Sequence, residues 1–187
     1  SAASDVYKRQ GASSWLHYQN FSSISSLVTT THNDSVNGIP NRTSNYTVCN
    51  TTRGISQISF SYPGAPYAGC PADKFMQKWS GQIHLPDGVP GQAVNFYAKV
   101  DDGVYLEINS TQLTQSWIQS TGGQVALGQY SFSSGESYAF NLAYFDYTSV
   151  GSLILQWDVG GSIATVPASA FTLPVENDAI PAVPPAA

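Results

Sequence analysis

Four segments of this chain alternate apolar and polar residues with a period of two: Val94, Phe96, Ala98 and Val100; Val104, Leu106 and Ile108; Tyr138, Phe140, Leu142 and Tyr144; and Leu153, Leu155 and Trp157. An extended chain points successive side chains to opposite faces, so each segment reads as a strand with one face on a core. Residues 75–86 add a strand with Phe75, Trp79, Ile83 and Leu85 as core contacts. Shorter strands are expected over residues 55–60 at an edge, over 125–127 and 130–132, and from 164 to 173. Turn formers separate them at 87–91, at Asn109-Ser110 and at Gly122-Gly123. Helical periodicity is almost absent. Many short strands at regular spacing imply an all-β chain, an antiparallel β-sandwich or barrel.

At 187 residues the chain fits one domain, with 42% hydrophobic and 12% aromatic residues to build its core. Only 10% of residues are charged, well below the usual quarter. Polar uncharged residues and glycine fill the gap, as in many secreted β-proteins. The net charge of −5 and the lack of a Lys/Arg cluster exclude nucleic acid as a partner. No apolar run is long enough for a membrane helix, so no membrane insertion is expected. Residues 1–10 share no pattern with the rest of the chain and read as a tag or sequence remnant. Residues 11–173 read as the folded domain, its stretch from 11 to 52 dominated by loops. The Pro/Ala-rich residues 174–187 read as a linker to other domains.

The chain has two cysteines, Cys49 and Cys70. Their separation by a turn-rich stretch suits a disulfide better than a metal or redox pair, on condition that the protein is exported. Sequons at Asn20, Asn33, Asn41, Asn45, Asn50 and Asn109 matter only where the source glycosylates them. His17, His32 and His84 are scattered singly and lack metal-ligand spacing. No Gly-x-Ser-x-Gly elbow is present.

Chemistry concentrates at Val100-Asp101-Asp102-Gly103-Val104. Two readings of this stretch stand side by side. Asp-Gly between alternating hydrophobics is a hairpin-turn signal, which would place the acidic pair at the tip of a β-hairpin. Alternatively, the neighbouring carboxylates converge through a cis peptide held by a divalent cation.

A set of features in fixed order bears on that choice. They are Trp79-Ser-Gly-Gln-Ile83; Phe96 through Ile108 with its Asp-Asp-Gly; Trp117; Gly135 then Tyr138 before Tyr144-Phe145; Leu153-x-Leu155-x-Trp157; and Val166-Pro167. Together they resemble the protective-antigen-type domain, a β-sandwich of flocculins, epithelial adhesins, large bacterial surface (RTX-type) adhesins and some glycosidases. The resemblance implies a calcium-dependent lectin domain. It implies that Asp101 and Asp102, joined by a cis peptide, bind Ca2+. In the second loop it implies Asp146 as the side-chain ligand, the Thr148 and Val150 carbonyls as further ligands, and Gly151 as the loop glycine. Asp146 departs from the amide usual in flocculins, and Gln115 stands where the family commonly has an acid.

Calcium takes six to eight oxygens from carboxylates and carbonyls, so three carboxylates and two carbonyls would leave positions for two sugar hydroxyls. Asp101, Asp102, Tyr147 and Ser149 are then the expected ligand contacts, with Tyr147 able to stack on a sugar face. The expected partner is a fucose-, glucose- or mannose-like glycan on a cell surface, and the expected location is extracellular. Glycoside hydrolysis is disfavoured, because it needs carboxyls about 5–9.5 Å apart in different environments. An accessory module of a glycosidase and a spacer stiffened by a structural ion are the alternatives.

Overall fold

The computed structural model describes residues 25–28, 35–36, 39–40, 47–51, 57–113 and 116–172. The expected remnant at 1–10, the expected linker at 174–187 and Gln115 lie outside the described residues. The first strands are short: β1 (Ser25–Val28), β2 (Ser35–Val36), β3 (Ile39–Pro40), β4 (Thr47–Thr51) and β5 (Ser59–Tyr62). Then come β6 (Phe75–His84), β7 (Gln92–Asp101), β8 (Gly103–Ile108) and the two-residue β9 (Thr111–Gln112). The rest are β10 (Gln124–Phe132), β11 (Ser137–Asp146), β12 (Gly151–Trp157), β13 (Ala164–Thr165) and β14 (Phe171–Thr172), the last preceded by a 3-10 turn at Ala168–Ala170.

Two antiparallel sheets face each other. One runs β4-β1-β6-β11-β8-β9, with β14 also on β6; the other runs β10-β7-β12-β13, with β5 also on β12. The alternating residues predicted from the sequence fill the space between them. Val94, Phe96, Ala98, Val100, Val104, Leu106, Ile108, Phe140, Leu153 and Leu155 are all fully buried there with Trp79, Ile83 and Trp157. The fold is an all-β antiparallel sandwich.

Three expectations change in detail. β7 and β8 are not a hairpin: β7 pairs with β10 and β12, and β8 pairs with β11 in the opposite sheet. Both strands turn an apolar face to the same core, so the chain satisfies both by crossing between sheets at Asp101–Asp102. Residues 125–127 and 130–132 belong to one nine-residue strand, β10, which carries a register shift between Ala126 and Gly128. The bulge breaks the alternation that would have marked a continuous strand. The expected edge strand at 55–60 lies partly outside the described residues; within them it runs on to Tyr62, as Ser59–Tyr62 paired with β12.

The Asn109-Ser110 turn is as expected: both residues are left-handed (φ 50° and 60°), as a two-residue hairpin between β8 and β9 requires. Trp117 is not in the main core. It packs half-buried against a small cluster of Met76 and Phe145, its ring 4.7 Å from that of Phe145 and edge-on to it. Cys70 is disulfide-bonded; Cys49 lies on β4, where the described structure extends to the backbone only. No helix among the described residues is long and apolar enough to cross a membrane.

A candidate cation site at one end of the sandwich

Three of the predicted residues meet where the chain changes sheets. β11 ends at Asp146, opposite Phe75 of β6. β7 ends at Asp101, opposite Ser152 at the start of β12. The loop 147–150 joins β11 to β12 and so bridges the two sheets directly beside the acidic pair. The Asp101–Asp102 peptide bond is cis.

Each acid has a different environment. Asp101 is half-buried, and its backbone carbonyl accepts a hydrogen bond from the Tyr144 hydroxyl at 2.6 Å. Asp102 is 6% exposed, and its Oδ2 accepts the Tyr147 N–H at 2.6 Å. Backbone N–H groups of Ser120 and Thr148 also reach that carboxylate. The Ser120 hydroxyl in turn lies 2.6 Å from the Val100 carbonyl and 2.7 Å from that of Asp102, and so pins the crossing from below. Burial and the Asp101 charge hold the Asp102 carboxyl above its ordinary range despite those donors, and burial raises Asp101 as well.

Asp146 is the outlier. It was expected on a loop; instead it is the last residue of a strand and is 1% exposed. Neither of its carboxylate oxygens has a hydrogen-bond partner among the described residues. Burial, then the charges of Asp102, Asp73 and Asp101, push its carboxyl from 3.8 up to about 7. A buried carboxylate without a partner is a costly group to keep. Gly151 leaves it room: a Cβ there would stand 2.8 Å from Asp146 Oδ1 and collide with the Tyr144 hydroxyl.

The residues therefore fit a hard cation. The donors are all oxygens, as calcium prefers, and the orphaned pair on Asp146 adjoins the Asp101–Asp102 crossing. Among the described residues no three His, Cys, Asp or Glu side chains gather tightly enough to form a metal cluster alone. A cation shell here would need carbonyl oxygens as well as carboxylates.

In the bridging loop Thr148, Ser149 and Val150 are exposed, Val150 at 43%. Ser149 is left-handed at φ 81°, which for a residue with a Cβ costs about 1–3 kcal/mol. Tyr147 packs against Met76 and Phe145, and the Lys74 ammonium lies 5.5 Å over its ring. That ring is thus largely engaged with the protein rather than standing free for a sugar. Sequence reasoning missed three contributors: Tyr144, read only as core; Ser120, one serine among many; and Asp73, whose Oδ1 accepts the Ser149 N–H at 2.9 Å. Ser120 and Asp73 carry no local sequence signal, because each reaches the site from a distant loop; Tyr144 alternates like any core residue of β11, and its hydroxyl's role shows only in the fold.

No protein-family model matches the chain, and no curated protein matches it. Solved structures do. An anti-sigma factor domain-containing protein matches with a TM-score of 0.66 at 16% identity, over 89% of this chain and 51% of its own. A protein of the same description from Clostridium clariflavum gives 0.62 at 20% identity, over 84% and 48%. This chain thus spans about half the length of either.

The PA14 domain of an antifreeze protein (MpAFP) matches at 0.63 and 13% identity, over 84% of this chain and 93% of that domain. The A domain of epithelial adhesin 6 from Candida glabrata, solved in complex with Galb1-3GlcNAc, matches at 0.55 and 11%, over 72% and 73%. At such identities the likeness concerns the fold, and it agrees with the ordered motifs in the sequence. The described part of this chain has the fold of the protective-antigen-type (PA14) β-sandwich.

Proposed function

We propose that this chain is a calcium-dependent carbohydrate-binding module of an extracellular adhesin. The side chains of Asp101, Asp102 and Asp146 and the carbonyls of Thr148 and Val150 would hold the ion. The observation that carries this reading is Asp146: a buried carboxylate with both oxygens unpartnered among the described residues, beside Gly151, where an added Cβ would crowd it. Bound there, calcium would present open coordination positions that vicinal sugar hydroxyls can chelate. The protein's own part is to orient the donors, keep bulk water from Asp146, and offer Ser149 and Asp101 at the rim, while the Tyr147 ring stays packed on Met76 and Phe145.

Solved structures of the same fold support the ligand class. One is described as a PA14 sugar-binding domain from an RTX adhesin, at 12% identity and a TM-score of 0.53 over 63% of this chain and 76% of that one. The sugars proposed are fucose-, glucose- or mannose-like; the adhesin complexed with Galb1-3GlcNAc adds galactose-terminated glycans to the set worth probing. We also propose that the partner of Cys70 is Cys49, since the chain has no other cysteine.

A glycan-array scan in millimolar calcium, repeated after chelation, tests the reading. Binding to a few glycans that vanishes with chelator is the expected result. Calcium uptake without glycan binding would move the assignment to a structural ion in a spacer domain. No calcium uptake would overturn it.

A further inference from the structure

Asp73 lies in the short connection between the disulfide-bonded Cys70 and the start of β6 at Phe75, and no motif gives it a role. Its Oδ1 accepts the Ser149 N–H at 2.9 Å, a contact across 76 positions of sequence. The N–H of Ser149 and the carbonyl of Thr148 are two ends of the same peptide plane. In a trans peptide they point in opposite directions, and the cis bond among the described residues is the one at Asp101–Asp102. Whatever fixes the Ser149 N–H therefore fixes the Thr148 carbonyl and aims it away from Asp73.

The rest of the loop shows the same logic. Asp102 takes the Tyr147 N–H, and Asp73 takes that of Ser149 two residues on. Two acids thus hold the loop's backbone at both ends of Thr148. Ser149 is also left-handed, a conformation that a residue with a Cβ keeps only under external hold. Asp73 is itself anchored: the disulfide holds one end of its segment, and the pairing of Phe75 with Asp146 holds the other.

We propose that Asp73 is a positioning residue for the cation site: it holds the Thr148–Ser149 peptide so that the Thr148 carbonyl stands as an oxygen donor. This deepens the proposed function and rests on it. Asp73 need not touch the ion. The orientation of the peptide plane carries the effect.

The test is calorimetric titration of calcium alone into the wild type, Asp73→Asn and Asp73→Ala, with hydrogen exchange of the Ser149 amide followed by NMR without calcium. Asp73→Asn keeps an oxygen that accepts the N–H and loses the charge; Asp73→Ala loses both. Asp73→Ala should weaken calcium binding about tenfold, the scale of losing a hydrogen bond to a charged acceptor. Asp73→Asn should stay within about threefold of wild type on the same scale. Ser149 exchange should be protected in the wild type and in Asp73→Asn and fast in Asp73→Ala.

Wild-type affinity in Asp73→Ala would overturn the proposal. Equal losses in both variants would overturn it too, because charge rather than orientation would then be the cause. A wild type that takes up no calcium would overturn the functional reading itself, a result distinct from either of these.

Discussion

Asp146 shows how a single residue can be badly placed for stability and well placed for binding. Its carboxyl is raised to about 7, so the folded state holds a proton more tightly than the unfolded chain does between about pH 4 and pH 7. Stability then falls as pH rises through that window, because the folded state must give up a proton it prefers to keep. Without calcium the melting temperature should drop across this range; saturating calcium should flatten the profile, since the ion favours the charged form. Asp146→Asn, which keeps the amide oxygen usual in flocculins, should weaken calcium uptake without abolishing it and raise the calcium-free melting temperature at pH 8, read by paired calorimetry and thermal melts. A variant less stable than wild type there would mean that Asp146 is already compensated.

Gly151→Ala tests the neighbouring constraint. The added Cβ meets the Tyr144 hydroxyl and Asp146, both on the core side of β11, so neither can yield cheaply. A loss of about 1–3 kcal/mol is the scale expected of overpacking, measurable by denaturant unfolding.

At the scale of elements, the site exists because of one crossing and one bridging loop. Strands β7 and β8 are adjacent in sequence yet lie in opposite sheets, and the loop 147–150 returns between the same two sheets at the same end. The sequence showed both strands and both loops. Local alternation could not show that they meet, because an Asp-Gly flanked by alternating residues is equally good text for a hairpin; only the family resemblance implied it. What decides is which partner each strand finds: Gly103 lets the Phe145 ring lie against the β8 backbone, and β8 joins β11 there.

The segment 70–74 is a second bridging element. If Cys49 and Cys70 are paired, non-reducing mass spectrometry should find their peptides linked. Reduction should then lower stability by about 3 kcal/mol for a loop of this length. Separate peptides would assign Cys70 a partner outside this chain.

For the whole molecule, the long core strands, their inward faces and the sandwich architecture were legible because burial imposes a period-two pattern on every core strand. Val94 to Val100, Val104 to Ile108 and Leu153 to Trp157 were placed correctly from that pattern alone, and each is buried. The motif residues Asp101, Asp102 and Asp146 were legible as types at their spacing. Sequence text also marked Asp146 as a loop residue; in the structure Asp146 closes a strand, and the motif residue Trp117 packs in a side cluster with Met76 and Phe145.

The sequence by itself determined an all-β chain with its inward faces and an acidic pair between two strands, since these follow from local alternation and residue type. The tertiary structure alone decided that Asp146 is buried and unpartnered, that Tyr144 and Ser120 pin the carbonyls of the crossing, and that Asp73 reaches Ser149. Those are contacts between segments tens of residues apart, set by how two sheets stack, and no local pattern encodes a distance between them.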